Sequence, residues 1–333
     1  MRKLYAGFIV AAVILTVPWV WSWLHHYEPA HAQVALMSGL AIVGAAFLIS
    51  WGAELAQLDV SRSLAMAVLS LIAVLPEYAV DIYLAWRAGK DISYASLAAA
   101  NMTGGNRLLV GIGWPLIAFC AWWALRRLKR LAAGNSVQLD RDVALEIVFL
   151  SAATIYSFLI PLKHNISLLD AVILISLYVG YVCCAIRAPH REPEFIGPVK
   201  LLASLPRTGR RAAVLLLFAY SGFVIFISAE PLAESLKELG RILGIGEFFM
   251  IQWLAPLASE SPEIIVVAYF ALRGLPATAL TAIISAKVNQ WTLLISSLPI
   301  VFSISRGAIN ALPLDALQVE EVLLTAAQSL FGC

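Results

Sequence analysis

Apolar stretches long enough to cross a bilayer recur along the whole chain, separated by short polar segments. The pattern predicts spans over about 5–24, 33–56, 63–86, 106–125, 143–162, 165–186, 212–230, 247–272 and 290–305. A run of roughly 18 or more apolar residues reads as a transmembrane helix. Shorter elements at about 93–104 and 277–288 precede two of these spans. Gly104-Gly105 interrupts the first and Lys287 with Asn289 the second, which predicts discontinuous helices. The span after Met1-Arg2-Lys3 reads as an uncleaved helix, with cleavage near Ala30-His31-Ala32 as the alternative.

Composition agrees with this pattern. The 333 residues are 61% hydrophobic and 13% charged, with a mean hydropathy of +0.85. Soluble domains carry about 25% charged residues. The fold class is therefore an all-α polytopic membrane protein. Cys120, Cys183, Cys184 and Cys333 follow no C-x-x-C spacing, which disfavours a structural disulfide or thiolate metal site. His25, His26, His31, His164 and His190 read as loop residues. No phosphate-binding glycine motif is present, so nucleotide is not an expected partner. Nucleic acid is not expected either. The net charge of +2 says little about partners, but its distribution orients the chain. Arg126, Arg127, Lys129, Arg130 and Arg141 form one basic loop. Arg187, Arg191, Lys200, Arg207, Arg210 and Arg211 form another. Both are expected on the cytoplasmic side. Counting spans back from them places the two halves of the chain in opposite orientations.

The halves also share sequence. Glu54 has a counterpart in Glu230, Asn101 to Asn106 in Ser285 to Gln290, and Trp114-Pro115 in Leu298-Pro299. The offset is 176 at the first pair and 184 at the others, and a longer loop around Ser235–Ile245 is expected to absorb the difference. The expected organisation is an N-terminal helix and external loop over 1–32, a first repeat over 33–186, a cytoplasmic basic loop over 187–211, and an incomplete second repeat over 212–333. The C-terminus therefore reads as shortened.

The most informative repeat is a Pro-Glu pair buried in apolar sequence. Glu77 follows Pro76, and Glu263 follows Pro262, 186 positions later. A carboxylate at the centre of a membrane helix costs about 2.5–3.5 kcal/mol on insertion scales, so it marks function by default. Proline beside it releases a backbone carbonyl that can join it in binding a cation. A duplicated device of this kind points to a transporter with its ion site formed by the two repeats. The competing reading is a pair of helix–helix hydrogen-bonding residues. Asp81 shares the helix face of Glu77 one turn on. Glu260 is either an ion ligand or the partner of Lys287. Glu54 and Glu230 read as interfacial, Asn106-Arg107 as a helix anchor or path lining, and Trp19, Trp21, Trp23, Trp122 and Trp123 as interfacial belt residues.

In this order and spacing, the motifs resemble the membrane domain of sodium/calcium exchangers, in the cation/Ca²⁺ antiporter superfamily. That family repeats a signature close to Gly-Thr-Ser-x-Pro-Glu, followed some 20 residues later by Asn-x-x-Gly-Ser. Ala258 to Glu263 is similar to the first signature, and Asn101 to Gly105 to the second. Ile72 to Glu77 keeps only the end of the first. Ala73 and Val74 stand where hydroxyls are expected, and Lys287 where the resemblance expects neutral oxygens.

The resemblance implies two inverted-topology repeats of about five helices plus the extra N-terminal helix. It also implies exchange of Ca²⁺ for Na⁺ or H⁺, with Glu77 and Glu263 at a midplane cation site. Two carboxylates match one divalent ion, and Ca²⁺ takes six to eight oxygens. Asp81, Asn101, Thr103, Ser259, Glu260 and Asn289 are the further candidate ligands. No cofactor is expected beyond the transported ions, and the partners are inorganic cations and the lipid bilayer. The protein is not expected to be an enzyme, since no paired-Asp or His-rich hydrolase motif occurs. A degenerate, non-transporting scaffold and an antiporter for another cation are the alternatives. The expected location is a bacterial inner (plasma) membrane, with multiple passes.

Overall fold

A backbone without water around it must satisfy its own hydrogen bonds, and helices do this within one segment. The computed structural model describes residues 2–27, 29–60, 70–127, 143–187 and 197–332, and these are almost entirely helical. Among them, eight helical stretches are long and apolar enough to cross a membrane. Large apolar side chains crowd their outer faces: Phe226 is 82% exposed and Leu215, Leu216 and Val148 are exposed as well. Hydrocarbon, unlike water, accepts such a surface. The chain is an integral, multi-pass, all-α membrane protein.

It forms two compact units, each drawing on both halves of the sequence: Met1–Tyr83 with Ala185–Met250, and Leu84–Cys184 with Ile251–Cys333.

In the first unit, α1 (Arg2–Leu24) and α2 (His31–Ala56) pack with α11 (Arg207–Leu243). Short helices α3 (Ser70–Ala73) and α10 (Pro198–Ala203) and the start of α4 (Leu75–Lys90) complete it. Its core joins Trp19 of α1, Ala41, Ala45 and Ile49 of α2, and Val224, Ile225 and Ile227 of α11, with Ile72 and Ala79 packed against them. Pro231 lies inside α11 and cannot donate to the carbonyl of Ile227 one turn back. The indole Nε1–H of Trp19 donates to that carbonyl instead, at 3.1 Å. Trp19 is thus a buried packing residue and not a belt residue, whereas Trp21, Trp23, Trp122 and Trp123 are exposed. The loop expected around Ser235–Ile245 is also corrected, because α11 continues to Leu243 and ends at Gly244, whose φ of 67° suits glycine. Within 187–211, α10 and the start of α11 occupy much of what reads as loop. Lys129, Arg130, Arg141 and Arg191 lie outside the described residues.

The second unit contains α5 (Tyr94–Leu108), α6 (Trp114–Arg127), α7 (Val143–Ser157), α8 (Leu159–Lys163) and α9 (Leu168–Arg187). Most of α12 (Glu247–Leu272), with α13 (Pro276–Asn289), α14 (Ile295–Arg306) and α15 (Ala316–Gly332), completes it. A two-residue antiparallel pairing joins β1 (Asn165–Ile166) to β2 (Leu312–Pro313), with Ile166 opposite Leu312. The predicted discontinuous helices are not broken. α5 runs into α6 through a π-helical turn, Leu109–Gly113, and α13 into α14 through another, Gln290–Leu294. A π turn inserts one residue without ending the helix, and such turns concentrate at functional sites. Gly104 has a different use: a Cβ there would lie 1.9 Å from the backbone carbonyl oxygen of Gln252 on α12. Pro256 cannot donate to that same carbonyl. The glycine lets two helix backbones meet where proline has released an acceptor.

Candidate functional site

In the first unit, the helix carrying Glu77 is interrupted just before it. α3 ends at Ala73, Val74 is non-helical, and α4 begins at Leu75 with Pro76 in its first turn. Proline is tolerated there because its missing N–H needs no partner. Glu77 follows in the same turn, where the helix dipole favours a negative charge. It is 5% exposed, and Asp81, one turn later, is fully buried. Two carboxylates thus share a buried helix face. Half a turn beyond Asp81, Tyr83 donates its hydroxyl to Oε1 of Glu234 at 2.7 Å, with Oε1 of Glu230 3.3 Å away. Glu230 is exposed and lies inside α11, not at a helix end.

The second unit holds the other candidates. Glu263 is half-buried on α12, and its Oε2 is enclosed without a hydrogen-bond partner among the described residues. The Oδ1 of Asn101 on α5 is in the same condition, in a side chain 3% exposed. An enclosed oxygen without a donor is an expensive arrangement unless a cation or water completes it. Thr103 and Ser259 are buried, and their hydroxyls donate to carbonyls of their own helices: Thr103 to Ala99 at 2.8 Å, Ser259 to Pro256 at 3.3 Å. This spends the proton inward and leaves oxygen lone pairs for another partner. Glu260, 1% exposed, accepts from Nε2 of Gln290 at 2.6 Å. Asn289, 5% exposed, ends α13 beside the π turn.

A polar network runs alongside. Arg107 forms an ion pair with Glu321 of α15. Gln252 donates to Glu321 at 2.8 Å and lies 3.5 Å from the hydroxyl of Thr103. Lys287 is completely buried and donates to the backbone carbonyl and Oδ1 of Asn106, each at 3.1 Å. Asn106 and Arg107 are thus each bonded to a side chain of another helix. Gln252 and Glu321 carry no signal in the sequence, and Gln290 shows there only as a repeat counterpart of Asn106. Their partners lie 149, 30 and 69 or more positions away, and no spacing rule displays such pairings.

Asn101, Thr103, Ser259, Glu260, Glu263 and Asn289 all belong to the second unit, while Glu77 and Asp81 belong to the first. Each unit presents a glutamate directly after a proline, Glu77 buried and Glu263 half-buried. The chemistry that such oxygens serve is binding of hard cations or protons.

A family profile described as "Sodium/calcium exchanger protein" matches residues 31–187 and 213–332. The chain is similar over its whole length to the crystal structure of an H⁺/Ca²⁺ exchanger, CAX. The identity is 48% and the TM-score 0.93, with 82% of that chain covered. It shares its fold with YfkE at 18% identity and a TM-score of 0.65, covering 98% of this chain and 92% of that one. The sodium-calcium exchanger NCX_Mj matches at 15% identity and a TM-score of 0.53, covering 98% and 90%. A search of curated proteins gave no match. The double profile match and the full-length similarity lead to one conclusion: the chain belongs to the sodium/calcium exchanger family.

Proposed function

We propose that the protein is a secondary antiporter that exchanges Ca²⁺ for protons, with Glu77 and Glu263 as the two carboxylates that carry either cargo. The observation that supports this best is the duplicated Pro-Glu pair, read together with 48% identity to an H⁺/Ca²⁺ exchanger. Na⁺ is the second candidate for the counter-ion, on the weaker ground of the family as a whole.

The chemistry is simple. Ionised, the two glutamates balance one divalent ion. Asp81, Asn101, Thr103, Ser259, Glu260 and Asn289 are the oxygen donors proposed to complete its shell, with waters, at about 2.3–2.6 Å. Protonated, the same glutamates are neutral. Both loaded states can be carried through apolar surroundings, whereas the empty doubly charged state is costly. Movement with cargo and resistance to movement without it is what makes a carrier an exchanger.

The test is radiolabelled Ca²⁺ uptake into proteoliposomes under an imposed pH gradient and, separately, a Na⁺ gradient. The proposal expects uptake driven by the pH gradient and lost in Glu77→Gln and Glu263→Gln. Uptake driven only by Na⁺ would reassign the counter-ion. No gradient-driven uptake at all would leave the scaffold reading in place.

A further inference from the structure

α13 carries a lysine where its repeat counterpart, α5, carries a hydroxyl. The offset that aligns Gln290 with Asn106 also aligns Lys287 with Thr103. Both side chains are completely buried. Removing an ammonium from water is costly even after relaxation, unless other ligands replace its hydration. Lys287 has such ligands. Its Nζ donates to the carbonyl oxygen and Oδ1 of Asn106, each at 3.1 Å, and stands 5.1 Å from the centre of the Trp291 ring. A carbonyl oxygen, an amide oxygen and an aromatic face are ligands for a monovalent cation. The amide is fixed for this task, because Nδ2 of Asn106 donates to the Met102 carbonyl at 2.9 Å and so turns Oδ1 to the ammonium.

A second observation lies one turn along the same helix. Gln290 is three residues on from Lys287, so it shares that face. Its Nε2 is held by Glu260, while its Oε1 is fully enclosed with no hydrogen-bond partner among the described residues. An amide oxygen without a donor is thus carried on the same helix face as the lysine.

We propose that Lys287 is a tethered cation seated in a monovalent-cation subsite of the transport pathway. With that seat filled by the protein, the exchanger couples one fewer mobile monovalent cation per Ca²⁺ than it would with a neutral oxygen-bearing residue at the position. The inference rests on the antiport reading above and assigns a specificity determinant within it. Lys287→Thr gives α13 the residue of its counterpart helix. It removes the fixed charge, opens space for a small ion and leaves the Asn106 and Gln290 oxygens as ligands. Lys287→Met removes the charge but supplies no oxygen.

Thermal unfolding of purified wild type, Lys287→Thr and Lys287→Met, titrated with NaCl against choline chloride at equal ionic strength, reads the subsite without any transport. A ligand that binds only the folded state raises the unfolding midpoint as its concentration passes Kd. Lys287→Thr is expected to gain a Na⁺-specific rise beyond that of wild type, and Lys287→Met to gain none. In proteoliposomes Lys287→Thr is expected to show Na⁺-stimulated Ca²⁺ exchange, moving one more positive charge per cycle against the Ca²⁺. A Lys287→Thr protein that exchanges Ca²⁺ with wild-type coupling and the same Na⁺ response as wild type overturns the inference and leaves the antiport reading intact. A wild type that moves no Ca²⁺ overturns the antiport reading, while the Na⁺ titration still decides whether the subsite exists. If Lys287→Thr does not fold, Lys287→Gln, which also brings an oxygen, is measured against the same two outcomes.

Discussion

Gly104→Ala is the single-methyl change expected to do most damage. The added Cβ would lie 1.9 Å from the carbonyl oxygen of Gln252, a backbone atom in the second turn of α12. Reaching even 3.0 Å, a contact real Cβ atoms essentially never undercut, requires about 1.1 Å of movement between α5 and α12. No rotamer change can supply it, because both partners are backbone. Replacing glycine by alanine inside a helix contributes about 0.5–1 kcal/mol. Overpacking of this kind costs about 1–3 kcal/mol, so the net effect is destabilising by roughly 1–2 kcal/mol. The displacement also separates Gln252 from Thr103, which are already 3.5 Å apart, and shifts the helix carrying Glu260 and Glu263. Gly222→Ala is the internal control: it is mid-helix in α11, and a Cβ there meets nothing within 4 Å. Thermal unfolding in detergent, with Ca²⁺ uptake measured in parallel, should show a lowered midpoint and lost uptake for Gly104→Ala. Gly222→Ala should be as stable as wild type or more so. Equal stability and equal uptake in the two variants would refute the close-approach argument.

Three further outcomes are expected. Trp19→Phe should cost about 1–2 kcal/mol by stranding the Ile227 carbonyl, and less in a Pro231→Ala background, where the restored N–H can take that carbonyl; a double-mutant cycle in reversible unfolding that shows no coupling would contradict this. Asp59, just beyond α2, accepts from Nε and Nη2 of Arg210 at 2.7 and 2.8 Å, and this hydrogen bonding holds its carboxyl below the usual carboxylate range, with Arg207 and Arg211 adding to the pull. Its contribution is therefore complete above the unfolded value near pH 4 and is lost as the pH falls through the lower folded value, so wild type should lose its margin over Asp59→Asn on acidification, read as converging unfolding midpoints. Arg107→Gln should leave Glu321 and Gln252 poorly matched in a half-buried pocket, lowering the unfolding midpoint, while Glu321→Gln with Arg107→Gln recovers part of the loss.

Much of this fold was legible because a bilayer imposes strong rules on sequence. The apolar runs mark the spans, and the Pro-Glu pair stands out because a carboxylate in such a run needs a reason. The failures have physical causes too. Gly104-Gly105 reads as a break from its backbone freedom, but its use is closeness to Gln252, and that is visible only with α12 in place. Lys237, Glu238 and Arg241 read as loop because they follow the end of the apolar run. In the structure they lie on a helix that outlasts it, with Tyr83 bonded to Glu234. Trp19 resembles its exposed neighbours Trp21 and Trp23 in sequence, and only the carbonyl released by Pro231 sets it apart. The amides Gln252 and Gln290 carry no charge to announce themselves, yet they hold Glu321 and Glu260.

The central claim, that Glu77 and Glu263 carry Ca²⁺ and protons in alternation, is tested most directly by equilibrium binding of radiolabelled Ca²⁺ to the purified protein with simultaneous measurement of released protons. The account predicts one Ca²⁺ bound per chain, proton release that grows as the pH is lowered, and loss of both in Glu77→Gln and in Glu263→Gln. Wild-type Ca²⁺ binding in either variant, or binding without proton release at any pH, would contradict it.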